Sequence, residues 1–189
     1  MKKSILLFFV SALLSLSFIA CSDNSMTDPV SSDNSGSLQK NPRNLPTIVE
    51  IAANDTNFTY LVAAVQFAGL VDALNTNRQL TVFAPVNQAF LDLAASLNIP
   101  IEELLTEPYR ELVTSVLLYH VSPGRKLSQN VVKSGRVITL FDQFAFTRIE
   151  NVLPQIGNNT TGYANIVAVD VLASNGVIHV LDKVIVPIL

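Results

Sequence analysis

At 189 residues the chain has room for one ordinary domain and a leader, and not for two large domains. Apolar residues make up 49% and charged residues 14%, too apolar for the whole to be disordered and enough to build a real core. Fifteen acidic against twelve basic residues give −3, so no Lys/Arg excess is available to neutralise phosphates, and a nucleic-acid partner is disfavoured.

The chain opens with Lys2 and Lys3, then an uncharged apolar run, Ile5 to Ile19, broken only by Ser11, Ser15 and Ser17. That run fits the core of a signal peptide and is short for a membrane span, which needs about 20 residues. It ends in Phe18-Ile19-Ala20-Cys21 and the composition then turns polar. A small residue before a cysteine at this point resembles a bacterial lipoprotein signal, with Phe18 where that pattern prefers Leu. Cys21 is the only cysteine, so a disulfide or thiolate cluster is excluded and lipidation would consume the lone thiol. The expectation is a signal peptide over 1–20 and a membrane anchor through lipid on Cys21, in a bacterial envelope and at the outer membrane or cell surface. A simple secretory peptide is the alternative. Ser22 to Pro46 holds six Ser, four Asn, three Asp and three Pro with no periodicity, which predicts a disordered tether over 21–46. At this length its span is on the order of 25–30 Å.

Thr47 to Leu189 then forms one domain, with eight basic and twelve acidic residues that disfavour adsorption to anionic lipid. Thr47 and Glu50 form a capping-box pattern ahead of a short helix, Ile48 to Ala53. Phe58, Leu61, Val62 and Val65 recur at helical spacing up to a Gly69 stop. Leu80 to Ala84 reads as a strand halted by Pro85, after which Asn87 caps a helix carrying Phe90, Leu93, Ala94 and Leu97. Pro100 and Pro108 start further helical segments, the second with a stripe of Tyr109, Leu112, Val113, Val116 and Leu117 that runs on to His120. Strand periodicity follows over Val137–Phe141, Phe144–Ile149, Asn151–Ile156, Asn165–Leu172 and Val177–Val186. Ser174-Asn175-Gly176 joins the last two as a hairpin in which Asn-Gly takes positive φ angles. Ile178 to Val186, apolar on both faces, belongs in the centre of a mixed sheet. Helices first and strands later predict an α+β domain with helices packed alongside the sheet.

Three segments carry a family resemblance. Leu80 to Phe90 (LTVFAPVNQAF), with Thr81, Phe83, Pro85, Asn87 and Phe90, resembles the first signature of the fasciclin family. Leu117 to Gly124, containing Tyr119 and His120, resembles its tyrosine–histidine segment, and Asn175 to Val184, containing Gly176 and His179, resembles its second signature. Val86 stands where the family usually has Thr, so Asn87 is left to cap the helix. The resemblance covers Thr47 to Leu189 and implies a wedge-like β-sheet with several helices alongside. It implies adhesion and matrix contact rather than a shared catalytic activity. Its acidic-aliphatic motif falls on Asp170 and Val171; no Arg-Gly-Asp occurs.

Each candidate has a plain alternative. His120 lies three residues after Leu117 and four after Val116, so periodicity points it inward as a buried neutral imidazole. The resemblance makes Tyr119 and His120 partner contacts instead. His179 and Asp182 fall on opposite strand faces, and two histidines fall short of a closed zinc site. Glu102 and Glu103 point about 100° apart on a helix, a solvated face rather than a carboxylate pair. Asp170 and Val171 are surface candidates on an alternating strand. No nucleophile elbow, phosphate loop or dinucleotide fingerprint occurs. The expected function is a membrane-anchored module that contacts a protein or polysaccharide on a cell surface or matrix, with no enzyme activity, metal or cofactor. The rival is an envelope carrier of a small apolar or sugar ligand, or an envelope enzyme; the oligomeric state stays open.

Overall fold

The computed structural model describes residues 45–189. The signal segment, Cys21 and the tether up to residue 44 lie outside the described residues. No helix among the described residues is long and apolar enough to cross a membrane.

Thr47 opens α1 (Ile48–Asn54): its hydroxyl accepts from the Glu50 amide at 3.2 Å while the Glu50 carboxylate accepts from the Thr47 amide at 2.7 Å. A 3-10 turn leads into α2 (Thr59–Phe67). There Gly69, at φ +69°, turns the chain so that the amides of Leu70 and Gly69 reach back to the carbonyls of Val65 and Gln66, a Schellman stop. The short α3 (Val71–Leu74) precedes β1 (Leu80–Pro85), and α4 (Asn87–Ser96), α5 (Ile101–Leu104) and α6 (Arg110–Tyr119) follow. Then come β2 (Val121–Pro123), α7 (Ser128–Ser134), β3 (Arg136–Ile138), β4 (Phe144–Glu150), β5 (Leu153–Asn158), β6 (Gly162–Ala173) and β7 (Gly176–Leu181).

The seven strands form one sheet in the order β2-β1-β7-β6-β5-β4-β3. β1 runs parallel to β7, with Val82 opposite Ile178 and Phe83 opposite His179; every other neighbour is antiparallel. The long β6 serves two wings. Its first residues pair with β5 and its remainder pairs with β7, and register shifts at Ile166/Ala168 and Ala168/Val171 bend it between them. β1 and β7 are buried on both faces, as a strand with no solvated side must be. One face, with Val82 and Ile178, packs on α1, α2 and α6; the other, with Phe83 and Leu181, packs on Tyr119, Val131 of α7 and Ile156.

The structure departs from the sequence-based expectation at several places. The Asn175-Gly176 turn forms one residue earlier: Ser174 and Asn175 make the turn, neither takes a positive φ, and Gly176 already pairs in β7. Asn87 does not cap α4. The cap position is Val86, with no side-chain bond, and Asn87 instead reaches across to the start of α2, accepting from the Tyr60 amide at 3.1 Å and donating to the Thr56 carbonyl at 2.8 Å. The last strand ends at Leu181 and the first of the late strands at Ile138, because Thr139 closes a turn onto the Gln143 carbonyl. Asn151 and Val152 form no strand: at φ +50° and +73° they are the two central residues of the β4–β5 hairpin.

Val152 is 92% exposed, so no packing holds a β-branched residue in that left-handed conformation. Val152→Gly is expected to stabilise the domain by about 1 kcal/mol, the steric penalty it removes, read as a rise in urea midpoint at unchanged slope.

Candidate functional site

The stripe of α6 delivers Tyr119 and His120 into the interior, 0% and 2% exposed. His120 Nδ1 lies 2.7 Å from the Val116 carbonyl and its Nε2 lies 3.1 Å from the Ile185 amide. An amide can only donate, so Nε2 accepts and Nδ1 carries the proton that goes to Val116. The side chain thus ties the end of α6 to the segment after β7. Burial holds its pKa down at about 4, against a smaller opposing pull from the Val116 carbonyl. The Tyr119 hydroxyl donates to the Phe144 carbonyl at 3.2 Å and accepts from Asn158 Nδ2 at 3.3 Å, and burial raises its pKa. Asn158 had no place in the sequence argument. It is a buried organiser of the β5–β6 turn, accepting from the amides of Thr160 and Thr161 and donating to the Val186 carbonyl at 2.9 Å. The polar run Asn158-Asn159-Thr160-Thr161-Gly162 was its visible signal.

A second polar group gathers around the β2–α7 connection. Thr81 donates to the Gly124 carbonyl at 2.7 Å and accepts from the Lys126 amide at 2.8 Å. On the neighbouring strand β7, opposite Phe83, His179 holds the same loop: Nε2 lies 2.9 Å from the Lys126 carbonyl, and Nδ1 lies 3.3 Å from the Asp170 amide. Its ring stacks on Phe83 at 5.5 Å between centroids. Burial lowers its pKa, opposed by the Lys126 carbonyl and the Asp170 charge. Lys126 turns its ammonium onto Ser122 Oγ at 2.8 Å and the Pro123 carbonyl, and partial burial lowers its pKa too.

Asp170 sits at the second irregularity of β6 with φ +59°. Its carboxylate accepts from the Ser128 amide at 2.8 Å and the Ser128 hydroxyl at 2.6 Å, closing the N-terminus of α7 with a negative charge where the helix dipole favours one. Of the acidic-aliphatic pair, then, the acid is turned onto α7 while Val171 stays 37% exposed. His179 meets Asp170 at 4.0 Å, whereas Asp182 binds the backbone amide and side-chain amide of Asn165. This group meets His120 through the backbone, where the Phe83 amide donates to the His120 carbonyl at 2.9 Å. The histidines, Thr81 and Asp170 spend their hydrogen bonds on the fold, and among the described residues no three His, Cys, Asp or Glu side chains cluster to hold a metal.

The remaining residues of the signatures are structural in placement. Phe83 and Phe90 are core side chains, and Pro85 ends β1. Asn175 is buried: its Oδ1 accepts from the Ile48 amide at 2.9 Å and its Nδ2 donates to the Leu74 carbonyl at 2.8 Å, pinning α1 and α3 to the hairpin. Beneath these helices lies a cavity of about 110 Å³, walled by Ile48, Leu61, Val65 and Leu74 and floored by Val82 and Ile178.

The fasciclin domain family model matches residues 56–187. The chain is 41% identical to Protein sll1483 of the cyanobacterium Synechocystis over 141 residues, covering 75% of this chain and 73% of that one. It is 35% identical to Immunogenic protein MPB70 of Mycobacterium bovis, covering 72% of this chain and 66% of that one. It is also 30% identical to pig transforming growth factor-beta-induced protein ig-h3, of which it spans 19%. The solved FAS1 domain pair of the insect cell adhesion molecule Fasciclin I superimposes on 75% of this chain and 51% of that chain, with a TM-score of 0.66 at 20% identity. With the sheet, the helices beside it and the three signature segments all in place, the chain belongs to the fasciclin domain family.

Proposed function

We propose that the chain is a contact module, held at a bacterial envelope through lipid on Cys21 and binding a protein surface through the outer face of β3 to β6. The observation that carries this reading is the composition of that face. Phe144 and Phe146 alternate outward along β4, and Val167 and Val169 stand out in the irregular stretch of β6, each between 42% and 54% exposed. Arg136 lies over the Phe144 ring at 4.7 Å and Arg148 over the Tyr163 ring at 3.8 Å. Aromatic and arginine side chains on one surface are the composition of a protein interface, and an apolar set of this extent marks an interaction site. The kinship with the cell adhesion molecule Fasciclin I supports the same class, and both histidines and Asp170 are used inside the fold.

Adhesion of cells displaying the full chain to protein-coated and polysaccharide-coated surfaces tests it. The paired change Phe146→Ala and Arg148→Ala should weaken attachment to protein at least tenfold at unchanged melting temperature, and Cys21→Ala should release the chain from the membrane fraction. Undiminished attachment by the paired variant would remove this face from the contact, and attachment to polysaccharide alone would replace the partner class.

A further inference from the structure

The cavity beneath α1 and α2 has a use that the contact surface does not need. We propose that it binds a single hydrocarbon tail, taking about four methylenes inside while the ligand's polar head stays in water. Protein interiors rarely hold voids larger than a water molecule, so about 110 Å³ is not ordinary packing slack. A dry apolar cavity of roughly 150 Å³ accepts a single aromatic ring, which puts this one in the range of a small hydrocarbon group. In proportion to the six carbons of that ring, it holds about four.

The lining chemistry selects the ligand. Its walls are Ile, Val, Leu, Ala and Phe side chains, with His120 and Gln66 as the polar exceptions. Both ring nitrogens of His120 are already engaged, by the Val116 carbonyl and the Ile185 amide, so it offers the occupant only the carbon side of its ring. A sugar or a polar head inside would lose its water hydrogen bonds and gain none, whereas an alkyl segment loses nothing. The exposed lining residues are Ala53, Gln66, Ala73 and Leu140, three apolar side chains and one flexible amide, and it is there that the lining meets solvent. A flexible tail whose polar end stays in water fits a pocket that is apolar within and open at the surface.

The test is a titration of n-alkyl glucosides from ethyl to decyl, below their aggregation limits, into the full chain bearing Cys21→Ser so that no acyl chain of its own competes. Methyl NMR reads the site. Saturable shifts are expected at Ile48, Val62, Leu74 and Ile178, with affinity rising about fourfold per methylene and levelling off once four to six carbons are inside. Ala52→Leu, which fills the cavity, should weaken binding at least tenfold and raise the melting temperature. If shifts in the cavity fail to saturate, if affinity climbs without a break while Val167 and Val169 of the outer face move instead, or if a folded Ala52→Leu variant binds as well as the parent chain, the proposal falls. Should that variant not fold, the chain-length break and the map of shifted methyls decide alone. These readouts are independent of the outer sheet face, so their failure leaves the contact reading standing, and the reverse.

Discussion

Gly176→Ala is expected to destabilise the domain by about 3 kcal/mol, an unusually large effect for adding one methyl group. A Cβ at this position would lie 2.1 Å from the Leu80 carbonyl oxygen, 2.9 Å from its carbon and 2.8 Å from Ile48 Cδ1. Two of those atoms are backbone of the neighbouring parallel strand, where Leu80 pairs with Gly176, so relief requires parting β1 from β7. The same displacement would pull on Asn175, whose carbonyl accepts from the Leu80 amide and whose side chain pins α1 and α3. Urea denaturation of the variant beside Gly69→Ala checks the cause. Gly69 has a positive φ and open space around it, so that change should cost only about 1 kcal/mol. Equal losses at the two positions would mean that backbone conformation, not close approach, keeps Gly176.

The second large effect is acid sensitivity centred on His120. Its pKa is about 4 in the folded domain against an ordinary 6.5, so the unfolded chain takes up a proton first as the pH falls. The stabilisation from keeping it neutral is complete above pH 6.5 and is lost progressively between 6.5 and about 4, amounting to about 3 kcal/mol at the lower end. Protonation also puts a hydrogen on Nε2, which must stop accepting from the Ile185 amide. His179, lowered in the same direction by burial, adds to the loss below 6.5. His120→Gln should therefore be less stable than the parent at pH 7 and show a clearly shallower fall in stability between pH 6.5 and 4.5, measured by urea denaturation at both. An unchanged slope would assign the acid sensitivity elsewhere.

What could be read from the chain alone follows the range of the interactions involved. The capping box of Thr47 and Glu50 and the Gly69 stop are local patterns, and both form as expected. Inward-facing His120 followed from helical periodicity, which needs only four residues of context. The role of Asn87 is not local: its partners, Tyr60 and Thr56, lie about thirty residues back, and no local rule favours them over its own helix. Asn151 and Val152 looked like strand because valine favours strands, whereas the register of β4 against β5 forces both into a turn. The pairing of His179 with Asp170 depends on two register shifts in β6, and strict alternation cannot anticipate a bulge. The cavity has no signature at all, since Leu61, Val62 and Val65 spell an ordinary core stripe whether or not the space beside them is filled.

The start of the described chain is stitched twice to the same turn. The Pro46 carbonyl accepts from the Ser174 amide, and two residues on the Ile48 amide donates to Asn175 Oδ1 at 2.9 Å. An insertion ahead of residue 46 therefore leaves both stitches intact, whereas one between Pro46 and Ile48 frees α1 from the β6–β7 turn.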